Sequence, residues 1–261
     1  MMTNLRVDYD RLAAGYDRRF RESRLTGEGQ ALLALASNLP ARRVLEVGCG
    51  TGHWLANLAA VTPALYGLDP SPGMLAQARR RPVPLKLNRG VARQLPFKAG
   101  CCELVYCVNA IHHFQDPPAF IHAAARVLGR GGVLAVIGID PRDRRNQWYG
   151  YHYFEGTYET DLQRFPAWPV VLAWMQAAGF SQIELRQVER VEELRQGRAV
   201  LADPFLSKSS TSQLALLSDE AYATGLQRIE AALQEAEARG ETIVFPSEFS
   251  IEMMTGSKIN V

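Results

Sequence analysis

The feature that first points to chemistry is a glycine-rich segment followed, one apolar run later, by a single acid. Gly48, Gly50 and Gly52 come directly after the apolar residues 44–47, and Asp69 lies 21 residues after Gly48. A strand that runs into a glycine loop, which in turn opens a helix, is the layout of a nucleotide-type cofactor site on an α/β sheet. The spacing therefore predicts that this part of the chain binds such a cofactor.

The details of the loop favour one class of cofactor over another. Dinucleotide sites need a third glycine three residues after the second, and His53 occupies that position here. Glu46, two residues before the first glycine, would oppose a pyrophosphate at the helix N-terminus. A carboxylate at this position suits a cofactor that carries an ammonium group.

The glycine loop and the acid must be positioned by a sheet whose strands alternate with helices. Apolar runs at 43–47, 64–68, 83–87, 103–108 and 133–139 predict strands, and the segments 53–60, 74–81 and 119–128 predict helices between them. Strands that alternate with helices form a parallel sheet, and nearly continuous apolar strands indicate that both faces are covered. Residues 8–38 also predict helices.

After Asp140 the pattern changes. An aromatic-rich segment at 148–154 follows a polar stretch, and a helix is predicted at 169–178, ending at Gly179. Residues 183–188 and 243–253 predict two further strands. The helical insertion between them is clearest at 219–238, where one face repeats apolar residues at helical spacing, which we interpret as core packing: Tyr222, Leu226, Ile229, Leu233 and Ala236.

Composition limits the classes of function. The chain has 261 residues, 47% of them apolar, and its 29 basic and 27 acidic residues give a net charge of +2. This balance argues against nucleic acid or a membrane surface as the main partner, and the arginine clusters at 18–21, 79–81 and 142–145 are interpreted as solvated faces. We expect no membrane span and no signal peptide.

The four cysteines are Cys49, Cys101, Cys102 and Cys107. None of them forms a CxxC pair, so no metal site and no disulfide framework are predicted. Free thiols are typical of a reducing compartment, which predicts a cytoplasmic protein.

Six segments in order resemble the class I S-adenosylmethionine-dependent methyltransferases, and among them the UbiE-like, type 11 group. The resemblance covers residues 8–140 well and the remainder less well. The segments are YD at 9–10 and 16–17, LEVGCGTG at 45–52, GLDPS at 67–71 with Met74, LPF at 95–97, NAIHHF at 109–114, and RVL at 126–128 with GG at 131–132.

The resemblance implies a Rossmann-like α/β fold. The expected sheet is doubly wound, mostly parallel and seven-stranded, with helices on both faces, a C-terminal antiparallel strand pair and a helical lid or insertion. It further implies one domain over 1–261, with a cofactor-binding core at 8–140, lid and acceptor-side elements at 141–180 and 191–240, and final strands at 181–190 and 242–255.

The resemblance also implies roles for residues around S-adenosylmethionine. Gly48, Cys49 and Gly50 would lie against its methionyl part, Glu46 would support the amino group, and Asp69, followed by Pro70, would bind the ribose hydroxyls. Met74 and the backbone of Ala92 would contact the adenine, Asn109 would line the cofactor, and Tyr16 would close over the methyl end. Met74, Asn109 and Tyr16 have alternative interpretations as a core residue, a turn residue and a helix anchor.

One residue departs from the family pattern. Val91 stands where the family often has an acid that holds the adenine amino group. Adenine recognition would then depend on backbone contacts and stacking.

The implied reaction is an in-line transfer of a methyl group to a small-molecule acceptor. An aromatic lining of the acceptor site would favour a planar or apolar acceptor. If the acceptor is a hydroxyl or an ammonium, His112 is the candidate general base, with His113 less favoured; both histidines could instead cap a turn. The alternatives are a nicotinamide-dependent oxidoreductase and a non-catalytic module that binds S-adenosylmethionine. The protein is expected to be a monomer or a homodimer.

Overall fold

A computed structural model describes residues 7–17, 20 and 26–259. Arg18, Arg19 and Arg21 of the first arginine cluster lie outside the described residues, as does part of the helical region predicted at 8–38. Five parallel strands form most of one sheet, in the order β3-β2-β1-β4-β5. They are β1 (Arg43–Val47), β2 (Ala64–Asp69), β3 (Leu85–Arg89), β4 (Cys102–Val108) and β5 (Leu128–Gly138).

The order of the strands reverses between β1 and β4. Leu45 of β1 is in register with Tyr66 of β2 on one side and with Val105 of β4 on the other. The connections after β1 and β4 therefore diverge, and a crevice opens at the carboxyl ends of these two strands. Ligands bind in open α/β sheets at such a switch point.

Three further strands extend the sheet: β6 (Gln147–Trp148), β7 (Phe180–Gln196) and β8 (Val244–Lys258). β8 is antiparallel to β5 and to β7, as expected for the final strand pair. The two-residue β6 pairs with β8 as well, so that the sheet has eight strands where seven were predicted.

The last two strands run past the end of the parallel sheet. Gly138 at the end of β5 pairs with Glu252 of β8, whereas residues 244–251 of β8 pair only with β6 and β7. Residues 189–196 and 244–251 thus form a ribbon that projects beyond the carboxyl edge. The predicted strand at 183–188 ended too early, because five of the eight residues at 189–196 are charged and resemble a solvated insertion.

The helices surround the sheet and are numbered in chain order. Ser71, Asp116 and Ser218 accept hydrogen bonds from the first turns of α4, α5 and α10, which explains where these helices begin. The helices are α1 (Tyr9–Leu12), α2 (Gly27–Asn38), α3 (His53–Asn57), α4 (Pro72–Ala78), α5 (Pro117–Val127), α6 (Gly150–Tyr153), α7 (Thr157–Arg164), α8 (Trp168–Ala177), α9 (Ser212–Ala215) and α10 (Asp219–Ala238).

Each face of the sheet has its own apolar cluster. Leu45 and Val47 of β1 pack with α5 and α8 on one face, whereas Val44 packs with α2 and α3 on the other. Because side chains alternate along a strand, Glu46 is directed toward the face of Val44. Among the described residues, every helix is too short or too polar to span a bilayer.

A third cluster forms the core of a cap, which we define as residues 147–165 and 197–243. It includes Phe154, Ile229 and Leu233, all almost fully buried, with Tyr222 and Leu226 packed against them. The predicted apolar stripe of α10 is therefore core, as interpreted from its spacing. The ribbon carries this cap over the carboxyl edge of the sheet.

The tight packing around Gly225 in the core of the cap predicts that a methyl group added there destabilises the protein. A Cβ at Gly225 of α10 would lie 2.1 Å from Cδ1 of Phe154. Although alanine improves helix propensity by about 1 kcal/mol, overpacking costs about 1–3 kcal/mol. We expect Gly225→Ala to lower the free energy of unfolding in urea by about 1 kcal/mol or more.

Ala223, exposed on the same helix, provides the control. Ala223→Leu adds more bulk but should change the free energy of unfolding by no more than about 0.5 kcal/mol. A Gly225→Ala protein at least as stable as the wild type would contradict the packing described here.

Candidate active site at the carboxyl edge

The loop after β1 is bent by glycines in the left-handed region. Gly48 has φ 74° and Gly50 has φ 51°, values that disfavour any side chain. A Cβ at Gly48 would also lie 2.8 Å from the Cβ of Ala110, in the turn after β4. The loop can therefore approach that turn closely only because this residue is a glycine.

Asp69 ends β2 and joins two loops. Its Oδ2 accepts a hydrogen bond from the N–H of Gly50 at 2.9 Å, and its Oδ1 accepts one from the N–H of Ser71 at 2.9 Å. Burial raises the pKa of the Asp69 carboxyl, while the two backbone hydrogen bonds act in the opposite direction. The carboxylate is thus fixed in position at the floor of the crevice.

The crevice opens into a cavity of about 870 Å³, called here the larger cavity. Most of the residues predicted from the resemblance line it, together with residues from the turn after β4. The predicted residues that line it are Tyr16, Gly48, Gly50, Asp69, Pro70, Met74, Val91, Ala92, Asn109 and His112.

Glu46 and Cys49 are not among the residues that line the larger cavity. Both side chains are buried beneath the loop, where the hydroxyl of Tyr106 donates to Oε2 of Glu46 at 3.2 Å. Burial raises the pKa of the Glu46 carboxyl well above its ordinary value, outweighing the hydrogen bond from Tyr106, and burial also raises the pKa of the Cys49 thiol. Their predicted contacts with the methionyl part of a cofactor stay predictions.

A smaller cavity of about 570 Å³ lies between the sheet and the cap. Aromatic side chains form much of its lining, together with polar groups from residues 210–213 and four charged residues of the ribbon, Glu189, Arg190, Glu192 and Glu193. Trp148, Tyr151 and Phe165 come from the cap segment after β5, Phe205 from the insertion and Phe249 from the ribbon. Tyr149 and Phe154 of the same aromatic segment belong instead to the core of the cap.

The two cavities share a wall. Five residues line both of them: Tyr9 and Tyr16 from the N-terminal segment, and Asn109, His112 and His113 from the turn after β4. Ligands in the two cavities would therefore meet at these side chains.

The two histidines of the shared wall have different surroundings. The ring of His112 stacks on Phe165, with centroids 3.8 Å apart and planes inclined by 14°. Nη2 of Arg164 lies 3.3 Å from Nδ1 of His113, and the Tyr9 hydroxyl lies 2.6 Å from its Nε2. Because a guanidinium only donates, we assign Nδ1 of His113 as an acceptor, and a neutral ring then carries its proton on Nε2.

Arg164 and Tyr9 were not predicted as site residues. The Arg164 side chain is 4% exposed and contacts the fully buried Asp161 at 3.3 Å. Burial lowers the pKa of Arg164 and raises that of Asp161. Nothing in the sequence distinguishes Arg164 from other helix arginines, whereas Tyr9 was visible within the first YD segment.

Comparison with known proteins agrees with this fold. A family model described as a methyltransferase domain, type 11, matches residues 45–136, from β1 into β5. The fold is that of the Rossmann-like methyltransferases. Residues 45–136 of the chain are thus similar to the type 11 methyltransferases.

Individual relatives show the extent of the similarity. The phthiotriol/phenolphthiotriol dimycocerosates methyltransferase of Mycobacterium leprae is 36% identical over 115 residues, covering 42% of this chain and 43% of that protein. The trans-aconitate 2-methyltransferase of Deinococcus radiodurans is 34% identical over 120 residues, covering 45% of each. The solved structure of a methyltransferase from Thermotoga maritima has a TM-score of 0.58 at 22% identity, covering 96% of this chain and 98% of that chain.

The chain matches only part of several curated relatives. Four of them are matched over 43% to 61% of their own length. The cap lies outside residues 45–136, which match the family model.

The buried carboxyl of Glu46 predicts a pH dependence of stability. Since burial raises its pKa in the folded state, the stability that this group contributes is complete below its ordinary pKa and is lost as the pH rises. Glutamine imitates the neutral acid without this loss. We expect the unfolding free energy of Glu46→Gln, relative to the wild type, to increase from pH 5 to pH 8, by at most about 1.4 kcal/mol per pH unit.

Glu103→Gln is the control for urea unfolding at each pH. Partial burial acts to raise the pKa of Glu103, but hydrogen bonds from Arg43 outweigh this effect and keep the pKa below its usual value. Its carboxylate is therefore already ionised at pH 5. This variant should show no rise relative to the wild type. A flat or falling curve for Glu46→Gln would contradict the neutral, buried state of that acid.

Proposed function

We propose that this protein is an S-adenosylmethionine-dependent methyltransferase that transfers a methyl group to a small-molecule acceptor bound in the smaller cavity. The observation that carries the proposal is the wall shared by the two cavities. One cavity is lined by most of the residues that the resemblance assigns to the cofactor, and the other lies between the sheet, the ribbon and the cap. The oxidoreductase and the non-catalytic alternatives gain no support from the relatives.

The larger cavity fits S-adenosylmethionine, which supplies a methyl group on a positively charged sulfur. Asp69 presents a fixed carboxylate to the cavity, suited to the hydroxyls of a ribose. Gly48 and Gly50 bring main chain rather than side chain to the ligand. The rings of Tyr9 and Tyr16 provide aromatic faces, which favour a nearby cation.

The main task of these residues in methyl transfer is alignment. The shared wall would hold the acceptor next to the methyl donor, and the cap forms one side of the smaller cavity. Such alignment can account for about 7–11 kcal/mol of an activation barrier. His112 is the proposed general base for a hydroxyl or ammonium acceptor, because Phe165 holds its ring against both cavities.

The character of the acceptor follows from the lining of the smaller cavity. Aromatic rings form much of the lining, the ribbon adds the charges of residues 189, 190, 192 and 193, and a volume of about 570 Å³ falls within the range of small-molecule sites. The aromatic part of this lining fits a planar or apolar acceptor.

Further proposals concern the whole protein. We propose one domain over 1–261, in which 8–140 bind the cofactor and 141–180 with 191–240 shape the acceptor side. The four free cysteines support a cytoplasmic location. A monomer or a homodimer is proposed as the oligomeric state.

Calorimetric titration with S-adenosylhomocysteine and with NADH tests the proposed cofactor. We expect S-adenosylhomocysteine to bind in one-to-one stoichiometry and NADH to give no heat of binding, because the loop lacks the third glycine of dinucleotide sites. Binding of NADH alone would overturn the proposed function in favour of an oxidoreductase.

Asp69 provides a sharper test of how the cofactor is held. Asp69→Ala removes the acceptor of the ribose hydroxyls and leaves the N–H groups of Gly50 and Ser71 without theirs. Hydrogen bonds to charged groups contribute about 1.5–3 kcal/mol each, so the Kd for S-adenosylhomocysteine should rise at least about tenfold.

Asp116→Ala is the matched control for this titration. Its carboxylate accepts a hydrogen bond from the N–H of Ala119 at the start of α5, and it does not line the larger cavity. It should cost about 1 kcal/mol of stability but leave the Kd unchanged. An unchanged Kd for Asp69→Ala would remove Asp69 from the binding site.

A further inference from the structure

The N-terminal segment contains two Tyr-Asp pairs seven residues apart, Tyr9-Asp10 and Tyr16-Asp17. Both tyrosines line the wall shared by the cavities, and their rings meet edge to face with centroids 6.0 Å apart. The two aspartates, in contrast, are directed toward different loops of the larger cavity.

Asp10 binds the loop after β2. Its Oδ1 accepts hydrogen bonds from the hydroxyl of Ser71 at 2.6 Å and from the N–H of Gly73 at 2.8 Å. The hydrogen bonds from Ser71 and Gly73 lower the pKa of Asp10, so that it is ionised at neutral pH. This contact holds Tyr9 close to the turn that presents Asp69.

Asp10 can approach the start of α4 closely because residue 73 has no side chain. A Cβ at Gly73 would lie 3.0 Å from Oδ1 of Asp10 and 3.2 Å from its Cα. At these distances the neighbouring atoms would have to shift. The start of α4 therefore fits the N-terminal segment because residue 73 is a glycine.

Asp17 binds the loop after β1. Its Oδ1 accepts a hydrogen bond from the hydroxyl of Thr51 at 2.5 Å, and its Oδ2 accepts one from Nη2 of Arg81 at 2.5 Å. Nε of Arg81 donates to the carbonyl oxygen of Thr51 at 2.9 Å, which closes the cluster. This contact holds Tyr16 beside the glycine loop.

We propose that Asp10 and Asp17 are positioning residues for cofactor binding: they fasten residues 9–17, the clasp, to both loops of the larger cavity and so hold Tyr9 and Tyr16 in the shared wall. The clasp rests on the proposed function, since the ligand that it retains is S-adenosylmethionine. Neither aspartate touches the ligand; each acts through the tyrosine that precedes it.

The test measures the Kd and the dissociation rate of S-adenosylhomocysteine for Asp10→Asn, Asp17→Asn and the double variant. Exposed charged contacts are individually weak, so each single variant should raise the Kd about twofold to fivefold and the double variant about tenfold. The dissociation rate should rise by a similar factor, because the clasp retains a ligand that is already bound.

Asp8→Asn is the matched control. Asp8 lies in the same segment, but among the described residues its carboxylate accepts hydrogen bonds from the N–H groups of Asp10 and Arg11 at the start of α1 and from neither loop. This variant should leave both the Kd and the dissociation rate unchanged.

A second measurement separates positioning from a structural role. If the aspartates only stabilised the fold, the variants would lower the melting temperature and the number of binding sites per chain, while the Kd of the folded molecules would stay constant. In addition, the effects of Asp17→Asn and Arg81→Gln on the Kd should be non-additive, because both substitutions remove the same contact.

The outcomes distinguish this proposal from the proposed function. Wild-type protein that does not bind S-adenosylhomocysteine would overturn the function and the clasp together. Wild-type binding with an unchanged Kd in the double variant would overturn the clasp alone.

Discussion

The carboxylate of Asp69 connects the two loops that define the larger cavity. By accepting the N–H of Gly50 and the N–H of Ser71, each at 2.9 Å, it fixes the loop after β1 relative to the loop after β2. The same two loops receive the side chains of Asp17 and Asp10 from the N-terminal segment. The position of the shared wall thus depends on a short chain of hydrogen bonds that begins at the end of β2.

The smaller cavity depends on a different constraint, the length of the last two strands. Residues 189–196 and 244–251 continue past the carboxyl edge and carry the cap, whose apolar core is separate from the two clusters of the sheet. Because the cap has its own core, the residues of the cap that line the smaller cavity can change while the fold of the sheet is retained. The family model matches residues 45–136, which belong to the sheet and its helices and not to the cap.

The parts that the sequence predicts well are those with a local physical cause. Gly48 and Gly50 need positive φ, and apolar strands covered on both faces are recognisable as runs, so the parallel sheet, its loop and the position of Asp69 at a strand end follow from the pattern alone. Parts that depend on tertiary contacts do not follow. The charged residues of β7 resemble an exposed insertion, and only its pairing with β8 identifies a strand of 17 residues. Likewise, the contact of Arg164 with His113 joins residues 51 positions apart and has no local signal.

A crystal structure of the protein with S-adenosylhomocysteine would show where the cofactor lies. We expect the ribose hydroxyls to lie within hydrogen-bond distance of Asp69 and the sulfur to face the wall formed by Tyr9, Tyr16, Asn109, His112 and His113. A ligand bound elsewhere, or one whose sulfur is directed away from the smaller cavity, would contradict this expectation.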